Sequence, residues 1–307
     1  MDALEDYSGA YSLSLTEQFA DKVYGDACKK LRRFLTDARI TATLFVVTRD
    51  LLNDRRKEAL SELLADGHEI ASHSHSHNLA LAKDQRNRDV AQSAEIIKQF
   101  CGRLPKGYRA PGYYLPHEMI GTLAECGFEY SSSVMNTPLI VLFKLLFNLK
   151  TMTNHKLSRA YRMRNWGSLK ALLAPSRPYL PDPKRFWKKR LGCGLCEVPL
   201  TCDPYIGWPF QFTYVAMLHD NIVRQMEKNL AGREVNFSFH LLDFVSDSAA
   251  RNLNFFNPNW RLSSENRIDK ALHICKIVTK HRRCLLLEDA ILQLQTQPKN
   301  CVQSLPD

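Results

Sequence analysis

No apolar run in this 307-residue chain reaches the roughly 18 residues that a membrane span requires. The longest candidate, Pro138 to Leu149, is interrupted by Lys144. The chain start lacks the basic, apolar and small-residue succession of an export signal, so neither spanning nor export is expected. An even set of cysteines is also missing. Nine are scattered from residue 28 to 301, which argues against a disulfide framework and for reduced thiols in the cytoplasm. Cys193 and Cys196 form a C-x-x-C with no second pair to complete a zinc tetrad; small apolar residues on the approach to a strand are expected there rather than a redox or metal site. Acid is scarce in one place. Between Thr137 and Leu191 only Asp182 stands against thirteen Lys and Arg, so this segment carries +12 and the rest of the +10 chain sums to −2. Such asymmetry points to an anionic partner for one face. No internal repeat, helix-turn-helix, zinc-finger or RNA-recognition signature is present, so that partner is not expected to be nucleic acid.

What is there is an ordinary globular composition, 45% apolar and 24% charged, in which strand and helix signals alternate. A capping box at Ser14–Glu17 opens a helix with Phe19, Val23, Ala27, Leu31 and Phe34 at helical spacing. The β-branched run Ile40–Val47 predicts a strand, and 54–65 a helix stopped by Gly67. A strand at 69–72, a helix at 84–100, a helix at 116–125 and a strand at 128–134 follow. After the basic segment the pattern resumes, with a strand at 196–200, a helix at 214–230, a strand at 234–240, a helix at 268–279 and a strand at 283–287. Alternation of this kind implies βαβ units and a mainly parallel sheet or barrel. One domain over 1–290 is expected, interrupted by a basic, amphipathic insertion at about 137–192 and followed by a tail at 291–307.

The chemistry is concentrated in Gly67-His68-Glu69-Ile70-Ala71-Ser72-His73-Ser74-His75-Ser76-His77, which holds four of the ten histidines. A strand turning into a helix would bring His73 and His77 to one side, where both imidazoles could face one divalent ion, with His75 pointing elsewhere. Two imidazoles are too few, and a carboxylate from elsewhere is the expected third ligand. Arg109 stands before a Pro-Gly turn, and His240 ends an apolar strand, the position where parallel barrels put catalytic groups.

Taken in order, these motifs resemble the polysaccharide deacetylase family, the NodB-homology carbohydrate esterases. Ala42-Thr43-Leu44-Phe45-Val46-Val47 is similar to the family's A-T-F-F-V strand, and His73-x-x-x-His77 to its metal-binding pair. Arg109-Ala110-Pro111-Gly112 is similar to the motif whose arginine orients the catalytic acid. Gly127-Phe128-Glu129-Tyr130-Ser131-Ser132-Ser133 resembles the family's G-F-x-Y-D-S-S strand, with Ser131 where aspartate is usual. Glu197-Val198-Pro199 matches a recurring strand, and Phe239-His240-Leu241-Leu242-Asp243 the last motif, which supplies a second catalytic histidine.

The resemblance implies an α/β fold, a distorted (β/α)7-type barrel. It implies a metal-dependent hydrolase that removes an N-acetyl or N-formyl group from an amino sugar in a polysaccharide or lipid-linked glycan. Glu5 would be the base, Asp6, His73 and His77 the metal ligands, His240 the acid and Arg109 the group that fixes the base, while Pro111, Gly112 and Tyr113 would contact substrate. Another register of the first motif puts Ala3 at the base position and Glu5 or Asp6 on the metal, with Asp2 as a fallback. Asp243 is placed to hold the His240 ring. Zinc is the first expectation for the divalent metal, with cobalt, manganese or nickel as alternatives. The apolar stretch from Leu139 followed by dense Lys and Arg suits either an interfacial helix on an anionic membrane surface, the partner considered for 138–190, or a buried core helix plus a solvated basic loop; the expected location is the cytoplasm, with the inner face of the membrane as the second option. The competing reading is a catalytically impaired deacetylase-fold protein that binds an anionic glycan, lipid or nucleic acid through the same segment.

Overall fold

The computed structural model describes residues 16–142, 145, 169–190, 194–252 and 261–296. Five short strands form one parallel sheet in the order β1 (Thr43–Val46), β2 (Glu69–Ser72), β3 (Gly107–Tyr108), β4 (Tyr130–Ser131) and β7 (Cys196–Glu197). Successive strands are neighbours because each returns through a helix: α2 (Asp54–Ala65) after β1, α3 (Lys83–Cys101) after β2, α4 (Met119–Glu125) after β3. The sheet is buried on both faces, so β2 is apolar or neutral along its length apart from Glu69, which is hydrogen-bonded. A separate antiparallel hairpin, β5 (Pro181–Asp182) and β6 (Arg185–Lys189), lies within the basic segment.

The largest apolar cluster lies between the strands and the helices α1 (Glu17–Ala38), α2, α6 (Asp220–Asn229) and α8 (Ser264–Thr279). Its centre is aromatic: Phe34 of α1 is fully buried, 5.1 Å from the Phe239 ring and 5.3 Å from Phe244. This packing fixes the segment that carries His240. A buried ion cluster, Arg56 with Asp21 at 2.7 Å and Asp50 at 2.8 Å, ties α2 to α1 and to the 3-10 turn Thr48–Leu52.

Several boundaries differ from the sequence expectation. Thr16, rather than Ser14, caps α1, its hydroxyl accepting from the Phe19 N–H; Ser14 lies outside the described residues. The 214–230 helix is two, α5 (Phe212–Val215) and α6, separated at His219, whose ring caps α6. Residues 234–240 make a single bridge, Ser238 with Gln211, in place of a ladder. Residues 283–286 form no strand, and α9 (Leu287–Thr296) begins at the last residue of that stretch and enters the region expected as a tail, with Ile291 buried. Helix α7 (Asp247–Asn252) was not expected. Of the apolar 138–149 stretch, residues 138–142 and 145 are helical and the rest lies outside the described residues.

Candidate active site

The loops that follow β2 and β3 and the residue that ends the 234–240 segment meet at one cavity of about 1230 Å³, as expected for the carboxyl ends of parallel strands. His73, His77, Arg109, Gly112, Tyr113 and His240 all line it. Pro111 is buried at the start of the 3-10 turn Pro111–Tyr113 and does not line it. Asp2, Glu5 and Asp6, and the alternative Ala3, lie outside the described residues.

His73 is the first residue past β2, its backbone N–H still donating to Val46 at the end of β1. Its Nδ1 lies 2.6 Å from the Arg109 carbonyl. A carbonyl can only accept, so Nδ1 carries the ring proton and the imidazole lone pair is on Nε2. The His77 ring lies 5.1 Å from that of His73, inclined by 62°. The two are brought together differently from the sequence expectation. Residues 73–82 are turns, not the first turns of a helix, and α3 starts only at Lys83. His77 adopts φ 52° and Ser74 φ 67°, left-handed conformations that cost energy in a residue with a side chain. The strain is held by specific bonds. Asp89, buried on α3, accepts the N–H of His75 at 2.9 Å and of Ser76 at 3.0 Å, and the Ser74 hydroxyl accepts the N–H of His77 at 3.0 Å. His75 turns to Thr48, 3.1 Å from its hydroxyl, as expected.

Arg109 spreads its guanidinium on the next loop: Nε donates to the Ser132 carbonyl (2.9 Å) and Nη2 to its hydroxyl (2.8 Å), while the Phe45 ring lies 4.1 Å below. Ser132 is itself fixed from two sides. Asn236 donates to its hydroxyl at 3.0 Å, and the fully buried Glu197 accepts the N–H groups of Ser133 and Val134, both at 2.8 Å. Burial pushes the Glu197 carboxyl above the usual glutamate value, opposed by its hydrogen bonds and by Arg109. Ser131 and Ser133 hydroxyls bond each other at 2.8 Å, and Ser133 also accepts the Ala110 N–H.

His240 precedes the 3-10 turn Leu241–Phe244, which Asp243 caps by accepting the His240 backbone N–H at 2.9 Å. Beside the ring, the Thr213 hydroxyl donates to Asp243 at 3.1 Å and lies 3.5 Å from His240 Nδ1. The Gln211 amide comes within 2.9 Å of the same Nδ1. Behind the turn, the buried Arg267 donates to the carbonyls of Asp243 and Val245. Gln211, Asn236, Asp89 and Arg267 carry no recognisable motif; only Asp89 left a trace, as an acid beside Val90 on the buried face of α3.

Away from this cavity, the other candidate chemistry is quiet. The Cys196 thiol is buried and its pKa is pushed up to about 12, the reverse of a reactive cysteine; Cys193 lies outside the described residues. The seven described cysteines are all free thiols.

The polysaccharide deacetylase family model matches residues 16–131. A peptidoglycan deacetylase of Helicobacter pylori (strain ATCC 700392 / 26695) is 31% identical over 81 residues, which is 26% of this chain and spans only 28% of that relative. Among solved structures, a Mycobacterium smegmatis protein assigned to the polysaccharide deacetylases superposes with a TM-score of 0.55 at 17% identity, over 90% of this chain and 80% of that one. The PuuE allantoinase superposes with a TM-score of 0.56 at 14% identity, over 92% and 76%. The chain is thus similar in sequence to the polysaccharide deacetylases over 16–131 and shares over nine-tenths of its length the α/β fold with a parallel sheet seen in those structures.

Proposed function

We propose that the protein is a metal-dependent hydrolase that removes an N-acetyl or N-formyl group from an amino sugar of a polysaccharide or lipid-linked glycan. One observation carries this reading: two imidazoles 5.1 Å apart, one with its tautomer set by a backbone carbonyl, line the same cavity as a third histidine and an arginine. The donor set fits a divalent cation. A ligating histidine characteristically donates its other N–H to a carbonyl or carboxylate, as His73 does to Arg109. His73 and His77 would hold the ion, with Asp6, outside the described residues, as the carboxylate ligand; among the described residues no third His, Cys, Asp or Glu joins them. Such an ion, when bound, lowers the pKa of water to about 7 and polarises the amide carbonyl.

The remaining work falls to side chains. The Gln211 amide nitrogen lies 2.9 Å from His240 Nδ1 and 3.2 Å from its Nε2, and His240 would be the acid that protonates the departing nitrogen. Arg109, anchored on Ser132, presents a fixed positive charge to the cavity and so favours an ionised carboxylate nearby, the role expected of Glu5. The fold by itself does not choose the substrate, since an allantoinase shares it. The test is release of primary amine from N-acetylated and N-formylated amino-sugar oligomers, with and without a chelator. Amine release that is lost with the chelator and restored by zinc or cobalt is the expected result; a metal-loaded protein that releases none would overturn the reading.

A further inference from the structure

We propose that the turn Leu169–Leu173 and the hairpin β5–β6 form a docking surface for an anionic lipid bilayer. The turn is built inside out. Ala171 and Ala174 face the protein, each 8% exposed, whereas Leu169, Leu172 and Leu173 are exposed by 56%, 39% and 71%. A turn that served only to pack would bury its leucines, the larger apolar side chains.

The hairpin beside it supplies charge. Residues 169–190 hold seven Lys and Arg against one acid, Asp182. That acid is engaged in the fold: it accepts the N–H groups of Lys184 and Arg185, both at 2.9 Å, which hold its pKa below the usual value, and so it closes the hairpin turn. Lys184, Arg185, Lys188, Lys189 and Arg190 are exposed on the hairpin.

The surface is held stiff from below. Phe186 is fully buried, its carbonyl accepts the Tyr179 hydroxyl at 2.6 Å, and Tyr179 pairs with Glu197 of β7. Trp187 packs against His117 at 5.0 Å and lies under the Lys170 ammonium at 4.4 Å, which joins turn to hairpin. Exposed aliphatic groups next to clustered cations match the two layers of a bilayer surface, acyl chain and anionic headgroup. A nucleic acid would use the cations and leave the leucines in water. Pro178, which leads into the hairpin, lines the same cavity as His73 and His240, so docking here would bring the cavity close to the lipid surface.

The experiment is co-sedimentation of the full chain with vesicles of phosphatidylcholine alone or mixed with phosphatidylglycerol. Binding is expected only to the mixed vesicles and to weaken with salt. The double variants Leu169→Ser/Leu173→Ser and Lys184→Glu/Lys188→Glu change exposed side chains; each should lower partitioning at least about tenfold while keeping the wild-type circular dichroism and melting temperature. Equal binding to neutral vesicles, unchanged binding by either folded variant, tighter binding to duplex DNA, or a leucine-dependent dimer that ignores vesicles would each overturn the proposal. Amine release from a soluble amino-sugar oligomer, measured on the same variants, is expected to be unchanged, so the docking and hydrolase readings fail separately.

Discussion

Arg109 shows how one residue serves two parts of the site. Its carbonyl accepts the hydrogen bond from His73 Nδ1 and its side chain grips Ser132, so backbone and guanidinium act independently. Arg109→Lys removes the planar two-point grip but leaves the carbonyl in place. Turnover is expected to fall by about 10–100-fold with bound metal unchanged, read by steady-state kinetics beside metal analysis. At this scale much of the site was legible. His73 and His77 stood out because clustered imidazoles are chemically unusual, whereas Arg109 and His240, weak signals alone, gained weight from the order of the motifs. Their partners were not legible. Gln211 and Asn236 act through single amides brought in from distant segments, and nothing local marks an amide that will meet a ring or a serine 104 residues away.

Among the elements, the loop 73–82 departs furthest from expectation. Four-residue spacing suggested a helix, but the pairing comes from left-handed residues at Ser74 and His77, a conformation that spacing does not encode. The loop keeps this shape because α3 offers Asp89 to two of its N–H groups. Asp89→Ala is expected to cost about 1–3 kcal/mol of stability, by leaving two part-buried donors unpaired, and to weaken metal affinity about 10–100-fold. Urea titration and metal titration measure the two separately. Elsewhere, helices α2 and α3 and strand β2 fall within a residue of the expectation, since their periodicity and their glycine stops agree. The run at 283–287 was read as a strand and ends in a helix because a short apolar run fits either, and the spacing of Leu287, Ile291 and Leu294 decides for the helix.

For the whole molecule, the end of the sheet away from the site is closed by one carboxyl group. Glu69, at the start of β2, accepts from Thr43 of β1 at 2.6 Å, Tyr130 of β4 at 2.7 Å and the N–H of Glu288 in α9 at 3.2 Å. Tyr130 can reach it because Gly107 has no Cβ; one there would lie 2.1 Å from the ring. Burial raises the Glu69 pKa above the usual 4.5, against these bonds. A raised carboxyl pKa stabilises the fold most below the unfolded value, and that contribution is lost as pH rises through the folded one. Glu69→Gln carries no such titration. Its melting temperature relative to wild type is therefore expected to climb from pH 4.5 upward; a difference that stays flat or falls would assign Glu69 the opposite shift. The central claim concerns the other end of the sheet, where His73 and His77 share a cation and His240 works beside it. Equilibrium dialysis of wild type, His77→Ala and His240→Ala against zinc or cobalt, with amine release assayed on the same samples, tests it most directly. The account predicts one tightly held ion in wild type and in His240→Ala, none in His77→Ala, and turnover in wild type alone; an ion retained by His77→Ala, or lost from His240→Ala, would contradict it.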